Sequence, residues 1–296
     1  MIKKLNILML VLCLSLVSIA KLRIVTSINI LDDWLKVVGK DKVEVHTLIT
    51  GLETPHTYSP RPSDALALNR ADGFIGVGLG LESWLQPLIK SSAKTNLPIF
   101  YLAENIHLIS EEEGSHDHSI DQANNHLHDH NPHVWLSLEN AQQMVGFLAE
   151  ILGTLDKDNS DFFNTNAEDY IHSLNELETK YKQKFSSLKD LRLVSYPASY
   201  PYLFQEMGID EVARGEDTHG QEPSAKRIIT LANLMKKSDI KTIVSEKQFF
   251  SPLPDALANE TNAEIVYLSP LLIGEQSYLE LMESNYKALY TALSRN

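Results

Sequence analysis

Histidines concentrate in two short stretches of this chain. His56 lies in the sequence Pro-His-Thr-Tyr from Pro55 to Tyr58, and six more histidines lie between His116 and Trp135. Seven of the eleven histidines are therefore in these two places. Because neutral imidazole is a good ligand for zinc, copper and nickel, this distribution indicates metal binding.

The histidine-rich stretch combines closely spaced imidazoles with carboxylates. Two sets of histidines recur at every second residue, so an extended backbone would place each set on one face; they are His116 and His118, and His126, His128 and His130. Residues 110–131 contain few apolar side chains, which predicts a mobile loop. Since such a loop loses entropy on chelation, we expect weak auxiliary metal capture. A solvated segment without a metal role is the alternative.

The N-terminus limits the ligand types that are open to a metal site. Cys13, the one cysteine of the chain, lies inside the apolar run from Ile7 to Val17, before small residues that end at Ala20. This pattern predicts a signal peptide over residues 1–20, cleaved near Ala20. The mature protein would then be exported to the periplasm, with a metal site built from histidine, carboxylate or other oxygen ligands.

Charge and hydropathy restrict the partners of the mature chain. The net charge is −13, which argues against nucleic acid or an anionic membrane surface and suits a cationic ligand. No later apolar run reaches the roughly 20 residues that a membrane-spanning helix needs. We therefore expect a soluble protein that acts as a monomer.

Short β-branched runs alternate with helical patterns along the rest of the chain. Seven such runs are predicted strands: Leu22 to Ile28, Val43 to Ile49, Gly73 to Val77, Pro98 to Leu102, Leu191 to Tyr196, Lys241 to Glu246 and Ala263 to Leu268. The alternation predicts an α/β fold of two lobes, each with a parallel β-sheet flanked by helices. The N-terminal lobe would cover residues 21–164 and the C-terminal lobe residues 189–296.

One long helix is predicted to join the lobes, over residues 165–188. Apolar residues recur there at steps of three and four, and neither Gly nor Pro interrupts Asn166 to Leu188. At 1.5 Å per residue this helix would be about 35 Å long, enough to run along both lobes. Because one helix in this position limits relative motion, we expect a fairly rigid pair of lobes.

The two histidine contexts lie where a parallel sheet would place a ligand. Ligands of open α/β sheets bind beyond the carboxyl ends of the strands. His56 follows the predicted strand that ends at Ile49, in a loop stiffened by Pro55 and Pro60, and His133 follows the fourth predicted strand and its loop. Taken singly, either histidine could be an ordinary hydrogen-bonded side chain.

Longer segments around these histidines resemble a known family. ETPHTYSPRPSDALAL, from Glu53 to Leu68, and NPHVWLSLENA, from Asn131 to Ala141, resemble the substrate-binding proteins of zinc and manganese ABC importers. YLFQEMGI, EPSAKRI and VSEKQF match further, and the histidine-rich loop is similar to the zinc-importing branch. The resemblance implies a two-lobed, non-enzymatic protein that holds one ion, Zn²⁺ or else Mn²⁺ or another divalent transition metal, between its lobes. It would deliver this ion to an ABC permease.

The resemblance implies that His56 and His133 are metal ligands, but two other ligand positions of the family lack a donor. Pro197 takes the place of a histidine or glutamate, and Ser269 takes the place of an acidic residue. Since zinc usually has three or four protein donors, the chain must supply replacements or bind more weakly.

Three other residues are candidates for the missing donors. His219, in a polar loop before Gly220, is the first candidate, and Glu246 and Glu53 are weaker ones. Each of the three also has an ordinary reading, as a solvated histidine or a structural carboxylate.

Two other classes of protein fit parts of this pattern. A metal store, a metal chaperone or a surface interaction protein of the same fold would accommodate a degenerate, weak metal site. A metalloenzyme is disfavoured, since the sequence has no HExxH pair and offers no general acid or base for the site.

Overall fold

The computed structural model of the protein describes residues 21–94, 96–106, 108–109, 130–215, 225–249 and 251–295. Two four-stranded sheets make up its β-structure. Their strands are β1 (Leu22–Ile28), β2 (Val43–Ile49), β3 (Gly73–Gly76) and β4 (Ile99–Tyr101), then β5 (Arg192–Ser195), β6 (Asp210–Arg214), β7 (Thr242–Glu246) and β8 (Glu264–Leu268). The predicted signal peptide, residues 1–20, lies outside the described residues.

Both sheets are parallel and have the same strand order. The first runs β2-β1-β3-β4 and the second β6-β5-β7-β8. Strands β1 and β2, for example, pair in parallel from Leu22 opposite Val43 to Ile28 opposite Ile49. Parallel strands need long crossover connections and are covered on both faces, which explains why most of them are runs of β-branched apolar residues. The predicted fold class is confirmed.

Strand β6 is the one strand of the described chain that the sequence analysis does not predict. Three of its five residues, in the sequence DEVAR, are charged. It lies at the edge of the second sheet. An edge strand tolerates charged side chains because one side of it faces solvent, so it lacks the apolar run that marks the other strands.

Helices connect the strands and cover the sheets. They are α1 (Asn29–Gly39), α2 (Pro62–Arg70), α3 (Leu85–Ser91), α4 (Leu138–Leu155), α5 (Ser160–Phe185), α6 (Pro201–Met207), α7 (Ala225–Ser238), α8 (Leu253–Thr261) and α9 (Tyr278–Leu293). Within the described ranges, no helix has the length and apolar character needed to cross a membrane.

The long helix that joins the lobes is α5. It has 26 residues and begins at Ser160, five residues before the predicted start, because Phe163 of its first turns is buried and adds to its apolar face. Its N-terminal half contacts the first lobe, where the Asn166 Nδ2 donates to the Val38 carbonyl at 2.9 Å. Its C-terminal half contacts the second lobe, where the Tyr181 and Tyr286 rings stack with centroids 5.1 Å apart. The helix therefore packs against both lobes.

The main hydrophobic core is continuous through both lobes. It contains the fully buried Trp34 of α1 and Phe74 of β3 together with Tyr278 and Tyr286 of α9. The Trp34 and Tyr278 rings meet edge to face, with centroids 5.0 Å apart, at the junction between the lobes. Since burial of such side chains is the main force that stabilises a fold, the lobes are stabilised jointly.

Asn29 ties the lobes together at the carboxyl end of β1. Its Nδ2 donates to the carbonyls of Thr50 and Leu272, each at 3.0 Å. Its Oδ1 accepts from the Leu272 N–H at 3.3 Å. The neighbouring Gly51 has φ = 100°, and a Cβ at this position would lie 2.4 Å from the Leu272 carbonyl oxygen. Only glycine permits this approach, which fixes the loop after β2 against the loop after β8.

Replacing Asn29 by alanine tests the contribution of this contact. Asn29→Ala removes three hydrogen bonds and leaves the buried backbone N–H and carbonyl of Leu272 without this partner, so we expect the free energy of unfolding to fall by about 1–3 kcal/mol. The measurement is urea unfolding followed by circular dichroism. The exposed Asn259 of α8 is the control, since Asn259→Ala should change stability by less than about 0.5 kcal/mol. Equal stability of the two variants would contradict the role of Asn29.

Candidate metal centre

His56 lies in a short 3₁₀ turn, Pro55–Thr57, which begins six residues after Ile49, the last residue of β2. Trp84 supports this turn, because its Nε1 donates to the Pro55 carbonyl at 3.0 Å. Tyr58 closes the turn, with its ring edge-on to Trp84 at a centroid distance of 5.0 Å. The imidazole of His56 therefore projects from a supported turn at the carboxyl edge of the first sheet.

Asp64 anchors the chain that follows this turn. Its carboxylate accepts from the Tyr58 hydroxyl at 2.7 Å and from the Arg61 backbone N–H at 2.6 Å. Helix α2 begins at Pro62, so Arg61 is its N-cap. Asp64 at the third helical position then satisfies a backbone donor and lies at the positive end of the helix dipole. The turn is thereby fixed from both sides.

His133 precedes a second 3₁₀ turn, Val134–Leu136, and its orientation is set by Asn131. The Asn131 Oδ1 accepts from the His133 backbone N–H at 3.0 Å and lies 2.9 Å from the His133 Nδ1. The Asn131 Nδ2 donates to the Ala198 carbonyl at 2.7 Å. The His133 ring also lies beside Trp135, with centroids 5.1 Å apart. An almost fully buried histidine is thus held by an amide that is itself held by the second lobe.

These contacts determine which ring nitrogen of His133 carries the proton. A backbone N–H can only donate and a backbone carbonyl can only accept, so the partners of Asn131 fix which end of its amide is oxygen. The amide oxygen facing Nδ1 can only accept, and Nδ1 therefore carries the hydrogen in the neutral ring. The lone pair is consequently on Nε2, which is available to a metal ion.

The Nε2 atoms of His56 and His133 lie 3.3 Å apart. Two nitrogens bound to one tetrahedral zinc ion at about 2.0–2.1 Å would be separated by about 3.3 Å. The ring centroids are 5.2 Å apart and the ring planes are tilted by 50°, so both lone pairs can converge on one point. This arrangement of two imidazoles fits a shared metal ion.

Burial lowers the pKa of His56 below its ordinary value of 6.5, because desolvation disfavours the imidazolium ion. The imidazole is therefore neutral at neutral pH, and one of its ring nitrogens carries a lone pair. Neutral imidazole is the form that binds metal ions.

The second lobe forms one wall of this site. The Trp135 Nε1 donates to the Pro270 carbonyl at 2.8 Å. Pro197, which lacks the donor that the resemblance leads one to expect, lies next to Ala198 and hence beside the His133 support. Ser269 is buried, and its backbone N–H and carbonyl are both hydrogen-bonded to the side chain of Asn285, at 3.0 and 2.9 Å. Each substituted position therefore adjoins a residue that contacts the segment around His133, but neither carries a His or acidic side chain.

The remaining candidate ligands have different positions. Glu246 ends β7 and is buried beside the hydroxyl of Tyr200, whose pKa is raised by burial and by the neighbouring carboxylate. Glu53 forms an ion pair with the Arg61 guanidinium. His130 is partly buried directly before Asn131. His130 is the one predicted auxiliary ligand among the described residues. His219 and the other four auxiliary candidates, His116, His118, His126 and His128, lie outside them.

Across the described ranges, no three His, Cys, Asp or Glu side chains form a group that could hold a metal ion. The pair of His56 and His133 is therefore the described part of the candidate centre. His219 and Glu246 stay predictions as further ligands.

Asn131 is the functional residue that the sequence analysis misses. It belongs to the segment that resembles the family, but its role depends on contacts with His133 and Ala198 that no spacing shows. One sequence signal does exist. An Asn side chain readily accepts a hydrogen bond from the backbone N–H two residues later in the chain, and His133 lies two residues after Asn131.

Sequence comparison assigns the chain to a group of proteins. Residues 24–292 match the family model described as "ZnuA: Zinc-uptake complex component A periplasmic". Zinc-binding lipoprotein AdcA of Streptococcus pneumoniae is 30% identical over 279 residues, which cover 91% of this chain and 55% of AdcA. The chain thus spans about half the length of that relative. High-affinity zinc uptake system protein ZnuA of Bacillus subtilis is 28% identical over 280 residues, which cover 92% of this chain and 88% of that protein.

A solved structure shares the architecture. The SBP FpvC of Pseudomonas aeruginosa, in complex with Ni²⁺, superposes with a TM-score of 0.81 at 26% sequence identity. The match covers 93% of this chain and 98% of FpvC. The two-lobed fold with parallel sheets is therefore shared over nearly the whole length of both chains.

The lowered pKa of His56 can be measured directly. We expect the His56 ring in the metal-free protein to titrate below 6.5, as followed by the NMR shifts of its ring protons and nitrogens. Between its folded pKa and 6.5 the unfolded chain binds more protons than the folded one, so His56 should also decrease stability as pH falls through this window. A His56 pKa of 6.5 or above would contradict the burial effect.

Proposed function

Because the chain belongs to the zinc-uptake complex component A family of periplasmic proteins, we propose that it is an extracytoplasmic solute-binding protein. Its cargo is a divalent transition metal ion, with Zn²⁺ as the first choice and Mn²⁺ or another such ion as alternatives. It delivers this ion to an ABC permease. The observation that carries the proposal is the distance of 3.3 Å between the Nε2 atoms of His56 and His133.

The two histidines supply half of a tetrahedral ligand set. Burial lowers the pKa of His56, which favours its neutral ring. In neutral His133, Asn131 holds the hydrogen on Nδ1, which puts the lone pair on Nε2. Borderline imidazole donors suit zinc and nickel better than magnesium or calcium. We propose His219 as the third ligand, with Glu246 as the weaker candidate.

The donor set also suits a carrier that must release its cargo. The predicted mature chain has no cysteine, so no thiolate is available to hold zinc. A site of imidazoles and oxygen donors is sensitive to protons and binds zinc less tightly than thiolates do. The histidines of residues 116–130 would add weak capture outside the main site. We propose no catalytic role.

Substitution of the two histidines tests the site. We expect His56→Ala and His133→Ala each to weaken zinc binding by more than about a hundredfold, since loss of even an outer-shell partner of a metal ligand costs 10–100-fold. The measurement is isothermal titration of the mature protein with zinc sulfate, repeated with manganese and copper. The control is His172→Ala, because the His172 side chain is 76% exposed on α5 and pairs with Glu176 of the same helix.

The same titration separates the sources of the other donors. His219→Ala should weaken zinc binding, whereas deletion of residues 115–130 should remove only weak additional binding. Unchanged zinc affinity of His219→Ala would exclude it as the third ligand. Loss of tight binding on the deletion would instead place a principal ligand in the histidine-rich segment. If His56→Ala and His133→Ala both keep the zinc affinity of the parent, the proposed site is wrong.

The pH dependence of zinc affinity provides an independent test. Protons compete with the metal for imidazole, so affinity should be constant at neutral pH and fall at lower pH by up to about tenfold per pH unit for each protonated histidine. Because burial lowers the pKa of His56, its share of this fall begins below 6.5. Titrations between mildly acid and neutral buffer measure it. A pH-independent isotherm would contradict the assignment of both histidines.

A further inference from the structure

Helix α6 belongs to the second lobe, but two of its side chains bind the segment of the first lobe that contains His133. These side chains are Tyr202 and Glu206. Residues four apart on a helix lie on the same face, so one face of α6 carries both. They reach opposite ends of residues 131–139, with His133 near the N-terminal end of this segment.

Tyr202 holds the beginning of this segment. Its hydroxyl donates to the Asn131 carbonyl at 3.0 Å and accepts from the Ile109 N–H at 3.2 Å. Tyr202 is almost completely buried. The hydroxyl therefore fixes the backbone of the same residue whose side chain orients the His133 ring.

Glu206 holds the other end of the segment. One carboxylate oxygen accepts from the Ser137 Oγ at 3.0 Å and from the Glu139 backbone N–H at 2.8 Å. The other oxygen accepts from the hydroxyl of Tyr286. The contacts with Ser137 and Glu139 place the Glu206 carboxyl group at the N-terminus of α4. Burial raises the pKa of Glu206, whereas the N–H groups at the helix N-terminus and the helix dipole favour its anion.

Two further contacts from the second lobe bind the middle of the segment. The Trp135 Nε1 donates to the Pro270 carbonyl at 2.8 Å, and the Trp135 carbonyl accepts from the Tyr278 hydroxyl at 2.6 Å. All the contacts that Tyr202, Glu206, Pro270 and Tyr278 make with residues 131–139 cross between the lobes. The sequence assigns His133 to the first lobe, whereas its orientation depends on the second.

We propose that Tyr202 and Glu206 are positioning residues for metal binding, which act through the 131–139 segment to aim the Nε2 of His133 at the point shared with His56. This inference rests on the proposed metal site of the two histidines. Its consequence is that the affinity of a histidine on one lobe is controlled by the packing of the other lobe. Loosening of the α6 contacts would lower metal affinity without changing any ligand.

The first test compares matched tyrosine variants. Tyr202→Phe removes one hydroxyl and should weaken zinc binding by about tenfold, the lower end of the 10–100-fold effect of outer-shell partners. Tyr170→Phe is the control, since the Tyr170 hydroxyl contacts Asp33 at 3.4 Å and none of residues 131–139. Isothermal titration with zinc sulfate measures affinity, and thermal unfolding of the metal-free protein measures stability. Equal zinc affinities of the two variants would overturn the role of Tyr202.

The second test uses conservative rescue at Glu206. Glu206→Gln keeps an oxygen that can accept from Ser137 and Glu139, so it should retain zinc affinity within about threefold, whereas Glu206→Ala should lose about tenfold. If Glu206→Ala fails to fold, the comparison of Glu206→Gln with Glu206→Leu replaces it. Equal affinities of the parent and the apolar variant would overturn the role of Glu206.

A third experiment distinguishes positioning from a general effect on folding. In a His133→Ala background, Tyr202→Phe should leave the residual zinc affinity unchanged, because the residue through which it acts is absent. In the His133-containing protein, Tyr202→Phe should also alter the ¹⁵N signals that report the Nδ1–H form of His133. The same loss of affinity in both backgrounds, with unaltered ¹⁵N signals, would overturn the proposal.

Failure of the metal site and failure of the positioning role give different results. If His56→Ala and His133→Ala bind zinc as the parent does, the proposed function of the pair fails. If those variants lose binding but Tyr202→Phe and the apolar variant of Glu206 do not, the site stands and the positioning role of α6 is rejected.

Discussion

The candidate centre depends on the hydrogen bonds of the side-chain amide of Asn131. Its oxygen binds both the backbone and the ring of His133, and its nitrogen binds the Ala198 carbonyl of the second lobe. One side chain therefore determines the tautomer of the imidazole, its direction and its connection to the opposite lobe. Because a buried amide has few other ways to satisfy its hydrogen bonds, this arrangement is strongly specified. The distance between the Nε2 atoms of His56 and His133 follows from it.

The rest of the structure keeps the two lobes in the relation that this amide requires. A continuous apolar core, helix α5 and the side chain of Asn29 all span the junction. None of these contacts involves His56 or His133, but together they hold the Ala198 carbonyl in place relative to Asn131. Since interiors are close-packed and transmit displacement, changes at the junction are expected to reach the imidazole pair. In the proposed site, metal affinity therefore depends on the packing between the lobes.

Much of the fold could be read from the sequence, and the exceptions have identifiable causes. The β-branched runs at Leu22–Ile28 and Val43–Ile49 both coincide with strands. The first is buried at six of its seven positions. The second is an edge strand, but it keeps apolar residues at Val43, Val45, Leu48 and Ile49. The charged edge strand Asp210–Arg214 escapes the same reasoning, since it is not required to be apolar. Helix α5 begins earlier than its repeat suggests because Phe163 is buried in the first turns. Local patterns report burial, and they fail where an element is partly exposed or is completed by distant packing.

For the candidate metal centre, the sequence by itself determined which side chains are present: imidazoles at His56 and His133, in proline-flanked contexts after predicted strands, in a chain whose predicted mature form has no thiol. Only the tertiary structure decided that these rings, 77 positions apart, place their Nε2 atoms within 3.3 Å. It also decided that Asn131 contacts His133 and that Tyr202 and Glu206 bind the 131–139 segment from the second lobe. The reason is physical: side-chain type is a local property, whereas direction, tautomer and distance are set by contacts between residues that the chain brings together only on folding.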